Sequence, residues 1–167
     1  MGKGTASPPT LTDEQRQLCK DTWEQVRSAG LKQTGISMYA KLFSSAPEVI
    51  PLFSFVEGQS VEEVLKTQKL VKHALNVLNN VATAIKKCED YDVIGPKLRD
   101  LGYRHIAYGA KKEHINFVGA ALLHGIGESL GDEFTEEKKA AMTDFFGVVA
   151  HFVHEGMDGN APMANGK

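Results

Sequence analysis

Cysteine is scarce: Cys19 and Cys88 are the only two in 167 residues. That excludes a disulfide scaffold and makes a reducing cytoplasm the natural setting. Geometry alone decides whether two thiols can bridge, and buried thiols acting as small hydrophobes are the expectation here. No run approaches the roughly 18 apolar residues of a membrane span. The start, Met1-Gly2-Lys3-Gly4-Thr5-Ala6-Ser7, lacks the apolar stretch of a secretory signal. Gly2 stands where N-myristoylation would act, but that pattern asks for Ser or Thr where Ala6 stands. Neither sign of charge dominates. A net charge of −2 gives no electrostatic reason to bind nucleic acid or an acidic membrane. The chain also lacks a Gly-rich phosphate loop, a His-Glu-x-x-His helix and a Gly-x-Ser-x-Gly turn.

What the chain does have is helical periodicity. Residues 1–10, ending in Pro8-Pro9, read as a disordered leader, and residues 157–167 as a flexible tail. Between them, 11–156 reads as one domain. Thr12 with Gln15, and Ser60 with Glu63, have the spacing of capping boxes. Leu18, Cys19, Thr22, Trp23 and Val26 recur at helical spacing, and Gly30 ends that helix. A second helix is expected over about 31–43, and Pro47 opens a short one. One long helix is expected from the Ser60 box to about Cys88. Asp90-Tyr91-Asp92 reads as a break, with Gly95-Pro96 opening or kinking the next helix. Ile115, Val118, Leu122 and Ile126 mark another helix, and Thr135 caps the last. β-Branched residues recur at period 3.6 rather than 2, so the fold class is all-α.

Two of six histidines stand out. His73 and His105 each lie among apolar residues on the stripe that its helix must bury. Imidazole is the commonest transition-metal ligand and the usual axial ligand of haem iron. Two such rings facing each other could hold a flat iron cofactor. A lone histidine on an apolar face is more often a satisfied core residue, and His114, His124, His151 and His154 are read that way. His151 and His154 could share a metal, but a third ligand is missing.

Taken with their neighbours, these residues resemble the globin family from about Leu11 to Gly156. Trp23 matches the first-helix tryptophan, and Pro47 the proline opening the short third helix. Phe53 matches the corner phenylalanine against the haem ring. His73 matches the distal histidine, Val77 the valine one turn on, Leu101 the leucine one turn before the proximal histidine, and His105 the proximal ligand. The 32-position separation of the two histidines is similar to the neuroglobin and cytoglobin branches, where the distal histidine can itself bind iron. Tyr39 falls where vertebrate globins usually place Leu or Phe. There its hydroxyl would reach a bound gas; the alternative is a core tyrosine bonded to backbone.

The resemblance implies a globin fold of six long helices plus one or two short ones around a haem pocket. With no Cys-x-x-Cys-His motif, haem b would be held non-covalently. His105 would be the proximal iron ligand and His73 the distal, sixth one. Phe53, Val77, Leu101, Ile115 and Val118 would line the pocket, with Arg104 and Lys72 at the propionates. The function implied is reversible binding of O2, CO and NO for storage, supply or sensing. The alternative is a haem redox enzyme acting on nitric oxide, nitrite or peroxide, which would need an external reductase. Monomer and homodimer both stay open.

Overall fold

Most of the helices begin where a side chain can take up their first free N–H groups. Thr12 accepts from the Gln15 N–H, and the Gln15 side chain accepts in return from the Thr12 N–H, both at 3.0 Å. Ser60 and Glu63 repeat the exchange at 3.2 and 2.9 Å. Asp90 accepts from Val93 and Thr135 from Lys138, each at 3.3 Å. Such caps contribute about 1 kcal/mol apiece. The computed structural model describes residues 6–159. Its helices are α1 (Asp13–Ala29), α2 (Leu31–Ser45), α3 (Val61–Val64), α4 (Gln68–Lys86), α5 (Tyr91–Ala107), α6 (Lys112–Leu130) and α7 (Glu136–Met157). Three 3-10 segments join them, at Pro47–Leu52, Ser54–Val56 and Gly131–Glu133. No strand occurs among the described residues.

Two boundaries differ from expectation. The Ser60 box opens only the single turn of α3, and Thr67 starts α4 anew by accepting from the Leu70 N–H at 3.2 Å. Val64 and Leu70 are both fully buried. In one straight helix, positions six apart point roughly 120° away from each other. The break lets both reach the core. The second difference lies at Asp90, which caps α5, so Tyr91 already belongs to the helix and Pro96 sits inside it.

Of the leader, residues 6–10 carry no regular structure. The Tyr91 hydroxyl nevertheless donates to the Pro9 carbonyl at 2.6 Å, tying that end to α5. Residues 1–5 and 160–167, with Gly2 and most of the expected tail, lie outside the described residues. No described helix is long and apolar enough to cross a membrane.

The helices pack as two main crossings, α2 on α6 and α5 on α7, with α1 across α7 and α4 against α2. Between them lie Met38, Leu42, Leu78, Leu122, Ile126, Met142 and Phe145, all fully buried. Each large apolar side chain so buried stabilises the fold by roughly 1.5–3 kcal/mol. Cys19 and Cys88 are free and buried. One pairing is missing. Beyond glancing contact, α4 and α5 do not pack on each other. The fold therefore leaves a gap between the two helices that carry His73 and His105.

Candidate functional site

The gap is a crevice with two unlike walls. On the α5 side, His105 is half-buried and its Nδ1 lies 2.7 Å from the Leu101 carbonyl, one turn back on the same helix. A carbonyl only accepts, so Nδ1 carries the proton and donates. That fixes the tautomer and leaves the lone pair on Nε2. A ring so oriented is typical of a histidine that ligates a metal. The Tyr108 ring packs edge-on against it, with centroids 5.6 Å apart.

On the α4 side, His73 is also half-buried but sits among aromatic rings. Its centroid is 5.5 Å from Tyr39, 5.6 Å from Phe53 and 5.7 Å from Phe55. Its ring makes no hydrogen bond among the described residues. Burial, and after it the charge of His105, lower the His73 pKa. Both favour the neutral imidazole, which is the form that ligates metals and donates from one nitrogen while accepting at the other.

Tyr39 on α2 is buried, yet its hydroxyl finds no hydrogen-bond partner among the described residues. The alternative expectation, a core tyrosine bonded to backbone, is not what the structure contains. The hydroxyl is not among the fully buried polar atoms left unpaired, so it opens onto free space beside His73, where a molecule filling the crevice can accept from it. Burial also raises its pKa, so Tyr39 stays a donor.

Phe53 stacks edge-on with Tyr39 at 5.8 Å and Phe43 at 5.5 Å. Val77 is half-buried one turn after His73. Leu101 and Arg104 line a cavity of about 250 Å³ between α4 and α5, together with Leu98, Ile94, Asn80 and Thr83. Arg104 is exposed and pairs with Asp100 at 2.9 Å. On the first turns of α6, Ile115 is buried and Val118 half-buried. Lys72, expected at a propionate, stands elsewhere on α4 and does not line the cavity of Leu101 and Arg104. It lines a separate groove of about 810 Å³ on the outer side of α4, with Lys32 and Glu62. The physical reason is that its neighbour His73 faces inward, and consecutive helical residues point about 100° apart.

Sequence reasoning missed Phe55, Tyr108 and Leu98. Phe55 lies two residues after Phe53 in an apolar run, and Leu98 at helical spacing before Leu101 and His105. Tyr108 gave no signal, because it follows the last helical residue. Of the four other histidines two are hydrogen-bonded, and His151 Nε2 is buried without a hydrogen-bond partner among the described residues. Nδ1 of His114 accepts from the Lys111 N–H at 3.0 Å. His154 Nε2 meets the Lys112 carbonyl at 3.2 Å. His151 lies 3.3 Å, and His124 3.9 Å, from a glutamate one turn on. Among the described residues no three His, Cys, Asp or Glu side chains gather as a metal cluster.

The donor set fits a planar metal cofactor. It offers one committed imidazole, one uncommitted imidazole, a free hydroxyl and an apolar surround. It does not fit a metal ion held by protein groups alone.

Known proteins bear on this arrangement. A neuroglobin of Dissostichus mawsoni is 24% identical over 147 residues, covering 87% of this chain and 92% of that protein. Cytoglobin-2 of Danio rerio is 31% identical over 138 residues, covering 81% of this chain and 76% of its own length. A hexacoordinated heme protein from an anhydrobiotic tardigrade, solved at pH 4, has the same fold. Its TM-score is 0.81 at 19% identity, over 89% of this chain and 96% of that one. The globin family model matches residues 36–153. The chain belongs to the globin family.

Proposed function

We propose that this protein holds haem b non-covalently in the α4–α5 crevice and binds O2, CO and NO there reversibly, for storage, supply or sensing. The observation that carries the reading is His105, its Nδ1 tied to the Leu101 carbonyl at 2.7 Å, on the wall opposite His73 and the free Tyr39 hydroxyl. The cofactor would supply the iron at which a diatomic gas is taken up. The chain supplies the rest. His105 Nε2 is the proximal ligand, and Leu101 holds the ring that presents it. Phe53, Val77, Leu101, Ile115 and Val118 keep water out. The Nε2–H of neutral His73 and the Tyr39 hydroxyl are donors on the gas side. A neutral hydrogen bond is worth about 1 kcal/mol net, several-fold in affinity. Arg104 would meet a propionate by exchanging its Asp100 partner. The cytoplasm is the compartment this reading assigns, with an external reductase keeping the iron ferrous.

The same geometry supports His73 as a sixth ligand in the gas-free state. Nothing hydrogen-bonded holds its ring back, and it is driven neutral. An internal ligand competes with external gas, so apparent affinity falls by the fraction of open site.

The absorption spectrum of the purified protein tests both levels. A Soret band is expected, and its absence after haem reconstitution defeats the haem reading. In the deoxy ferrous state, split low-spin visible bands are expected. His73→Leu should replace them with one broad high-spin band. A broad band in the unmutated protein would leave His73 as a hydrogen-bond donor only.

A further inference from the structure

The helix that carries the proximal histidine has one extended packing partner among the described residues, α7. The contact is made through backbone. A Cβ on Gly102 would overlap the Val153 carbonyl oxygen and lie 2.9 Å from its carbon. A Cβ on Gly156 would overlap the Arg99 carbonyl oxygen and lie 2.7 Å from its carbon. The two glycines are thus reciprocal: each helix seats a carbonyl where the other lacks a side chain. Gly95, about two turns before Gly102, would place a Cβ 3.2 Å from the Phe152 ring. Charge reinforces the seam. Arg99 donates to Glu155 at 2.7 Å and lies over the Phe152 ring, 4.9 Å from its centroid.

The seam covers α5 from Arg99 to Gly102. Leu101, whose carbonyl orients the His105 ring, lies inside that segment. Its acceptor oxygen therefore cannot shift without moving backbone that is in contact with α7. We infer that Gly102 and Gly156, with the Arg99–Glu155 pair, are positioning residues for His105, and that α7 is the surface against which the proximal imidazole is aligned. The inference rests on the haem reading above. A methyl at either glycine forces the helices apart by something on the order of 1 Å, and errors of that size at a reacting centre are costly.

The test compares Gly102→Ala, Gly156→Ala and Glu155→Gln with Gly125→Ala. Gly125 serves the α2–α6 crossing, where a Cβ would lie 2.9 Å from the Thr34 carbonyl oxygen, away from α5. Each change is made in holoprotein carrying His73→Leu, so that His105 is the only protein ligand. Three quantities are read: haem transfer to a scavenging protein, the iron–histidine stretching band in resonance Raman, and the melting temperature of the cofactor-free form. The α5–α7 variants are expected to lose haem roughly 10–100-fold faster, the range seen when groups behind a metal ligand are altered. Their iron–histidine band should shift or broaden. Gly125→Ala should lower the melting temperature and leave the band where it was. An unmoved band and unchanged haem loss in the α5–α7 variants, with stability lowered as in Gly125→Ala, overturn the inference and make the glycines structural only. If the alanine variants do not fold, Glu155→Gln decides alone, since it adds no bulk. An absent Soret band in the unmutated protein instead overturns the haem reading, and this inference with it.

Discussion

Around His105 the neighbours are backbone and charge; around His73 they are rings. The His105 imidazole donates to a carbonyl at 2.7 Å, and its helix is seated on α7 with an ion pair at 2.7 Å beside the contact. The His73 imidazole touches Tyr39, Phe53 and Phe55 edge to face or tilted and makes no hydrogen bond among the described residues. Hydrogen bonds have directions, and aromatic contacts of this kind tolerate rotation with a cost of only about 0.5–1.5 kcal/mol. The same residue type is therefore fixed on one wall and free to turn on the other. On the function proposed above, that asymmetry would separate a permanent ligand from a partner that gives way.

The comparison breaks most completely at His105. His105→Ala should abolish stable haem binding, and added imidazole should restore part of the Soret band. Unaltered haem retention would mean that the fixed wall is not the proximal one. Tyr39→Phe sharpens the free wall. It removes one hydroxyl without changing the packing, so oxygen dissociation should accelerate several-fold, about the worth of one neutral hydrogen bond. Stopped-flow release measures it, and an unmoved rate would place the hydroxyl away from the gas.

A smaller effect is expected at the start of α4. Thr67→Ala deletes the acceptor of the Leu70 N–H and should cost about 1 kcal/mol in denaturant unfolding. It should also speed motion of His73 more than that of His105. Equal acceleration of hydrogen exchange in α4 and α5 would argue that the two walls are not independent. The smallest effect is a lack of reaction. Burial, reinforced by Cys88 and Asp144, pushes the Cys19 thiol up to about 12, and burial raises Cys88 as well. Raising a thiol pKa depletes thiolate at any lower pH. Neither cysteine should react with a thiol reagent at pH 8 until the protein is unfolded, and fast labelling in the native state would contradict the packing of α1 on α4.

Much of this was legible from spacing. The Thr12 and Ser60 boxes, the stop at Gly30, the Pro47 turn and the cap at Thr135 are local chemistry, and each stands where its residues imply. Both histidines are half-buried, on the flanks of their helices' fully buried faces, so periodicity finds the helices and only approximately the faces. Less was legible where two elements compete. Thr67 looks like an ordinary helical residue until Val64 and Leu70 must both enter the core. Asp90 looks like part of a break until its carboxylate is seen to accept from Val93. The direction of Lys72 follows only once His73 is known to face inward.

Local order, and the identity of the groups available to a cofactor, come from the chain itself. Helix periodicity, caps and stops act over a few residues, and the two imidazoles and the tyrosine are given as residue types. Tertiary structure alone decided which of them stand free. The Leu101 carbonyl claims one imidazole within its own helix, and tertiary packing brings no hydrogen-bond partner among the described residues to the other or to the Tyr39 hydroxyl. It also decided that α5 rests on α7 through Gly102 and Gly156. In a sequence these are two helical glycines, one mid-helix and one in a last turn, that only weaken helices. Their value lies in the side chain they omit, and that becomes visible only when another helix's carbonyl occupies the space.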